Sequence, residues 1–415
     1  MEDKGVPMVR CLACLLILCA PLGGFALDFT EAVHFSERTG FGAPAEEVFR
    51  WAGLSRAQAV DLVLQHLSAD PTVPAPDWVK PPFERPPGDR EHPADQAARQ
   101  AYNDRKEAKK AELRTWFIED AVKAPWPLGA KLALFWHNHF TSSLEKLDSG
   151  ELLLQQDLLF RRLGTGPLGD FIKAVSKDPA MLIYLDGETN AKGKPNENYA
   201  RELMELFTLG EGNYTEQDVK EAARAFTGWT VDRAKGTASF NPKRYDDGVK
   251  TLLGQKGNFG ADDVVDVLLR QPRTAVFLTE KFWRFFVSPD PDETQVTRLA
   301  AAYRASGYQL KVLLRGLLLQ DAFWSSANND SLVKSPFELL IGQVRTWGLK
   351  DYDPKRLTWQ LARLGQDLFN PLSVKGWPEG LDWVDAATLL ERRRDLSDLT
   401  NQFRKSWLTP ESNLE

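Results

Sequence analysis

A mainly α-helical fold, an irregular multi-helix globular body around one core, follows from three observations. Apolar residues recur at i, i+3, i+4 and i+7 along most of the 415-residue chain, the spacing of one helix face. Neither a P-loop, a dinucleotide-binding glycine pattern after a strand, a Gly-x-Ser-x-Gly elbow nor an internal repeat is present, so nucleotide and flavin folds and solenoids are not indicated. Apolar and charged fractions of 43% and 27% suit a soluble globular chain.

Met1 to Ala26 has Lys4 and Arg10, an uncharged run from Cys11 to Leu22, then Gly-Gly-Phe-Ala. This is the layout of a secretory signal peptide, with an apolar run short for a membrane span. All three cysteines, Cys11, Cys14 and Cys19, lie inside it. The mature chain would be exported, to the periplasm or outside the cell, without a thiol or a membrane span, which excludes disulfides and thiolate metal sites. Lipidation at Cys19 would require a small residue where Leu18 stands. The net charge of −6 and the interleaving of basic with acidic residues give no phosphate-binding stripe, so nucleic acid is not an expected partner.

Residues 27–69 read as N-terminal helices, with two short ones between Ala43 and Leu67. Eight prolines between Asp70 and Pro93 forbid a regular helix and make 70–93 a linker or an arm across the body. The main helical body occupies 94–415. It opens with a long helix over Ala94 to Val122 whose first half is solvated. Pro127 to Phe140 follows, with Leu132, Phe135, Trp136 and His139 on one stripe. His137 and His139 are candidate metal ligands, but two residues apart on a helix they point about 200° from each other.

Asp178 with Pro179 predicts an N-cap and a short helix to Leu185. The loop after it has the spacing of a calcium loop at Asp186, Glu188, Asn190 and Glu197. Ala191 at the glycine position and Lys192 and Lys194 in the loop oppose that reading, and the alternative is a polar turn that aims Asn190, Asn196 and Glu197. Asn196 as N-cap and Gly210 as C′ bound an amphipathic helix over Glu197 to Leu209. Its polar side carries Asn198, Arg201, Glu202 and Glu205, expected to face one pocket.

Tyr214-Thr-Glu-Gln-Asp-Val219 predicts a capped and stapled helix start that ends before Gly228, with Trp229 folding back on the core. Phe240 to Gly260 suits a loop or short hairpin. Helices are expected over Ala261 to Leu269, Thr274 to Val287, Glu293 to Ala305, Gln309 to Leu319 and Ser335 to Trp347. Gly365 to Gly380 has no periodicity and holds Lys375 and Trp377, the makings of a long functional loop.

Leu134-Phe-Trp-His-Asn-His-Phe-Thr-Ser-Ser143, Asp178-Pro-Ala-Met-Leu-Ile-Tyr-Leu-Asp186, Asn196-Glu-Asn-Tyr-Ala-Arg-Glu-Leu-Met-Glu-Leu-Phe-Thr-Leu-Gly210, Ala223-Arg-Ala-Phe-Thr-Gly-Trp229 and Val374-Lys-Gly-Trp-Pro-Glu-Gly380 together resemble the domain-of-unknown-function 1800 family of exported bacterial proteins. The resemblance runs from about Ala32 to Arg394. Tyr245 stands where relatives are expected to have histidine, and Leu372 where they are expected to have proline. The family implies no established activity; a partner from the domain-of-unknown-function 1501 family is a family-level expectation.

Two function classes remain. One is an exported binding or assembly protein of the cell envelope, in which the Asn190, Asn196, Glu197, Asn198, Lys375 and Trp377 region meets a glycan or a partner. The other is an exported hydrolase with Arg201, Glu202, Glu205 and His139 as its catalytic cleft, two carboxylates beside an arginine giving a proton donor and an acceptor. A divalent metal on His137, His139, Asp186 or Glu197 is the candidate cofactor of that second class. The absence of a recognised catalytic constellation favours binding or assembly.

Overall fold

The computed structural model describes residues 26–88 and 95–408; the expected signal peptide falls almost wholly outside them. Among the described residues the chain is mainly helical. The N-terminal part supplies α1 (Phe29–Arg38), α2 (Ala45–Val48) and α3 (Arg56–Gln65). The body begins with α4 (Gln96–Lys123), α5 (Leu128–His139), α6 (Leu144–Leu147), α7 (Gly150–Leu163), α8 (Leu168–Val175), α9 (Pro179–Tyr184), α10 (Asn198–Glu202) and α11 (Glu216–Ala225). It continues with α12 (Ala261–Arg270), α13 (Pro272–Phe286), α14 (Glu293–Ala305), α15 (Leu310–Leu318), α16 (Asp321–Trp324), α17 (Pro336–Thr346), α18 (Pro354–Arg363) and α19 (Ala386–Leu408). No helix among the described residues is long and apolar enough to cross a membrane.

The helix ends follow from local chemistry. Asp178 Oδ2 accepts from Met181 N and from Gln156 Nε2 at the start of α9, and Thr215 and Asp218 form a reciprocal capping box on α11. Both are the caps read in the sequence. The hairpins were read less well. Strands Trp229–Asp232 (β1) and Thr237–Phe240 (β2) pair antiparallel ahead of the expected segment, with Trp229 opposite Phe240. Trp229 thus opens a half-buried strand instead of folding into the core. The second hairpin, Lys250–Leu252 (β3) and Gln255–Gly257 (β4), lies inside the expected segment. Its turn residues Leu253 and Gly254 both have positive φ, as a two-residue primed turn requires.

One apolar cluster runs through the whole body, from Leu27 and Phe35 to Leu399. α4 packs on α7, α17 and α18, α5 on α7, α13 on α14 and α15, and α3 on α15. The proline-rich segment is an arm on this body. Trp116 Nε1 donates to Val73 O, Val73 N to Asp120 Oδ1, and Phe83 N to Ala234 O.

The predicted helix over Glu197 to Leu209 changes its winding halfway. After α10, Leu203–Thr208 is π-helical, with Leu209 N donating to Met204 O and Thr208 Oγ1 to Leu203 O, each five residues back. Tyr199, Ala200, Leu203, Met204 and Phe207 are buried, and Leu206 only partly. A helix closed by i→i+5 bonds advances less around its axis per residue. The side chains after Glu202 therefore leave the faces that a uniform 100° step assigns.

Arm, α4 and α7 meet at a buried charge cluster. Arg161 Nε and Nη1 each lie 2.7 Å from carboxylates, those of Asp157 and Asp120, and its guanidinium sits 5.2 Å from the Trp116 ring centre. Burial pushes the Asp157 carboxyl up while Arg161 opposes it. Removing the shared partner leaves two buried carboxylates facing each other, so Arg161→Met is expected to cost about 3–5 kcal/mol in urea unfolding. A loss below about 1 kcal/mol would show the cluster to be effectively solvated.

Candidate functional site

The C-terminal end of α5 is where the polar motif stretches converge. Asn138 Oδ1 accepts from Trp377 N at 2.6 Å. Gly376, at φ +95°, is required there: a Cβ would overlap Asn138 Oδ1 and come within 2.7 Å of Asn138 O. His139 Nε2 lies 3.1 Å from Phe207 O, a carbonyl in the π-helical segment. Because a carbonyl only accepts, the imidazole is protonated at Nε2 and, when neutral, bare at Nδ1. Burial holds it well below the usual histidine range. His137 turns the other way, with ring centres 4.9 Å from Phe369 and 5.3 Å from Trp377, and burial lowers its pKa to about 3.

α5 thus stays helical through His139, and the two imidazoles diverge as the 200° argument requires. Asp186 binds Lys146 and Asn198, and Glu197 pairs with Arg201. The structure does not gather His137, His139, Asp186 and Glu197 around one point, and no cluster of three His, Cys, Asp or Glu among the described residues has metal-site geometry.

The calcium-like loop is instead a hydrogen-bonded turn. Buried Asn190 accepts from Asn196 N through Oδ1 and donates to Ala223 O through Nδ2. Asn196 Oδ1 accepts from Asn198 N, starting α10, and Glu188 pairs with Arg233.

Arg201, Glu202 and Glu205 stay near one another, the charges of Glu205 and Arg201 both reaching Glu202. Arg201, one-third exposed, pairs with Glu197 at 3.1 Å and Glu216 at 2.7 Å. Glu205 accepts from the Tyr214 hydroxyl at 2.8 Å. Glu202 is half-buried without a hydrogen bond among the described residues; burial and then Glu205 push its pKa up, while Arg201 and exposed Lys375 pull it down. Arg201 and Glu205 thus each hold a partner outside the 201–205 stretch, Glu216 and Tyr214.

Thr189, Lys194, Pro195, Asn196 and Glu197 line one surface concavity, and the Trp377 loop borders another. A cavity of about 520 Å³ is walled by α1, α5, α13, α17, the 329–335 loop and the 377–383 loop. Trp377 and Asn138 belong to it, and so do Lys131, Lys281, Glu338 and Gln366, which the sequence reading missed. A signal was present: Lys131 is a single cation inside the otherwise apolar helix up to Trp136, and Lys131 and Lys281 each stand four residues before a phenylalanine, Phe135 and Phe285. Buried Lys131 makes three bonds, to Glu37 O, Gly40 O and Glu338 Oε1. Its charge keeps the buried Glu338 carboxyl below the usual range.

The raised Glu202 pKa has a definite sign. The folded chain holds that proton more tightly than the unfolded chain, so the carboxylate's cost is present at neutral pH and fades as pH falls from the folded value to the ordinary one. Glu202→Gln should therefore be neutral or stabilising at pH 7, by less than about 1 kcal/mol, and should flatten the acid side of the stability profile. Arg201→Ala should cost no more than about 1 kcal/mol, and marked destabilisation by Glu202→Gln in the same unfolding series would restore a buried Arg201–Glu202 unit.

No curated protein and no solved structure matches the chain. Residues 34–411 match the family described as Protein of unknown function (DUF1800), and that extent, with the motifs around α5, α9, α10 and the Trp377 loop, makes this chain a member of the DUF1800 family.

Proposed function

We propose that the chain is an exported binding protein of the cell envelope that takes a small molecule into the cavity between α1, α5, α13 and the Trp377 loop. The observation that carries this reading is the cavity itself. Its 520 Å³ fall within the range of about 300–1,000 Å³ usual for small-molecule sites. Its walls are held by contacts that need no ligand: Lys131 on Glu338 and two backbone carbonyls, and Asn138 on Trp377 N. Phe41, Phe135, Phe285, Trp377 and Trp383 give it an aromatic lining, the usual composition of such sites.

Binding is favoured over hydrolysis because the candidate catalytic groups are otherwise engaged. His139 is enclosed by Phe135, Trp136, Phe140 and Phe207 with one nitrogen spent on a backbone carbonyl. Arg201 and Glu205 turn to Glu216 and Tyr214.

Benzyl alcohol, a small neutral aromatic probe, should bind detectably by ligand-observed NMR and raise the melting temperature. Leu332→Trp, a substitution on the cavity loop, should weaken it about tenfold or more. Absence of binding, or binding indifferent to Leu332→Trp, would remove the cavity from consideration. Turnover of chromogenic esters or glycosides that Glu202→Gln abolishes would favour the hydrolase.

Export rests on Met1 to Ala26, and the intact mass of the exported pool should correspond to a chain starting near Leu27. Retention of Met1 to Ala26 in that pool would count against it.

A further inference from the structure

The cations of the cavity differ in how they are satisfied. Lys131 has its three acceptors. Lys334 pairs with Glu37 at 2.7 Å, and Arg38 donates to the Asn328 and Asn329 carbonyls at 2.7 and 3.1 Å. Lys281 has no such partner: among the described residues it makes no hydrogen bond and no ion pair within 4.0 Å, and its ammonium lies 5.4 Å from the Phe277 ring centre. It is partly exposed and lines the cavity. Burial leads the causes that pull its pKa below the usual lysine range, Arg284 adds to burial, and Glu379 opposes both.

A partly buried ammonium that has lost some of its water without gaining an acceptor carries a cost in the empty protein. The cost is relieved when a ligand brings an anionic oxygen, and the low dielectric around it strengthens the resulting charge-assisted bond. The other charges lining the cavity do not supply that oxygen: Glu37 and Glu338 are taken by Lys334 and Lys131, and neither Asp330 nor Glu379 forms an ion pair with Lys281 among the described residues. Arg284 is exposed one turn along α13 and adds a second positive charge on that wall.

Resting on the cavity reading above, we infer that Lys281 is the anchor for a carboxylate, so that the ligand is an organic acid whose apolar body lies against Phe41, Phe135 and Phe285. An oxyanion without such a body, inorganic phosphate for example, would meet the same ammonium but leave the aromatic wall in contact with water.

Benzoate, benzyl alcohol and inorganic phosphate separate these terms in titrations of the full exported chain at low salt. Benzoate should bind at least about tenfold more tightly than benzyl alcohol, and phosphate more weakly than benzoate. Lys281→Met should erase the preference for benzoate while benzyl alcohol still binds, and Lys281→Arg should keep part of it. Lys192→Met, at a surface pair with Asp247, should leave all three affinities unchanged. Without ligand, Lys281→Met should melt close to the parent, because the ammonium it removes makes no hydrogen bond or ion pair among the described residues and most of the side-chain volume is retained. Equal affinity for benzoate and benzyl alcohol, a preference that survives Lys281→Met, or phosphate matching benzoate would each overturn the inference and leave the cavity reading intact. Failure of benzyl alcohol and benzoate alike would overturn both.

Discussion

The hydrogen bond from His139 Nε2 to the Phe207 carbonyl joins the two segments on which the rest of the site depends. In a regular α-helix the Phe207 carbonyl would be reserved for an amide one turn later. In the π-helical segment that ends at Thr208 it is left to a side chain, and a helix end whose carbonyls lack partners must find them elsewhere. Arg273 performs the same service for the Leu209 carbonyl. α5 and α13 are thereby fastened to one helix end, and the wall they form between them becomes the cavity wall. On the opposite flank of α5, Asn138 fixes the Trp377 loop, so one turn of helix sets both the floor and the lip.

This arrangement also gives several of the polar residues singled out in the sequence a part in holding the fold. A neutral histidine enclosed by aromatic rings can satisfy one nitrogen against a carbonyl without bringing a charge into the core, which a lysine or arginine could not do. Asn190 offers a donor and an acceptor on one rigid amide, tying the loop to Ala223 O of α11 and to its own Asn196 N. Asp178 stays buried because it caps α9 and accepts from Gln156, although burial pushes its carboxyl up to about 6. These groups pay for their desolvation with local hydrogen bonds, and His139 Nδ1 is left without one.

The helical fold was legible because periodicity and capping are local. Glu293–Ala305 matches the expectation at both ends, Asp178 is the expected N-cap, and the Thr215 cap has its expected partner Asp218. The π-helical segment was not legible, since its cause is distributed: Thr208 reaches back to Leu203, and His139 and Arg273 arrive from distant helices. That one change of winding also shifts Glu205 relative to the α10 residues, a displacement that uniform 100° steps do not show. The β1–β2 hairpin escaped because Val231 and Ala238 are the only interior apolar residues of its two four-residue strands, too few for an alternation to show. The cavity was half legible: the aperiodic loop with Trp377 marked its lip, while Lys131 and Lys281 were passed over inside helices.

The motifs that carry the family resemblance and the residues that line the cavity overlap on one wall only. Leu134, Phe135, Asn138, Trp377 and Glu379 lie within those motifs, whereas Arg38, Lys281, Arg284, Asp330 and Lys334 lie outside them. The motif residues do mechanical work, holding α5 to the π-helical segment and to the loop, and that work would be the same whatever occupied the cavity. The charged wall is where ligand chemistry would be decided, because a single ammonium changes which molecules can enter, while a change in Asn138 or Gly376 would move the loop itself. Kinship therefore accounts for the frame and leaves the ligand to be read from α13 and the 329–335 loop, the elements that bring Lys281 and Asp330 to the cavity.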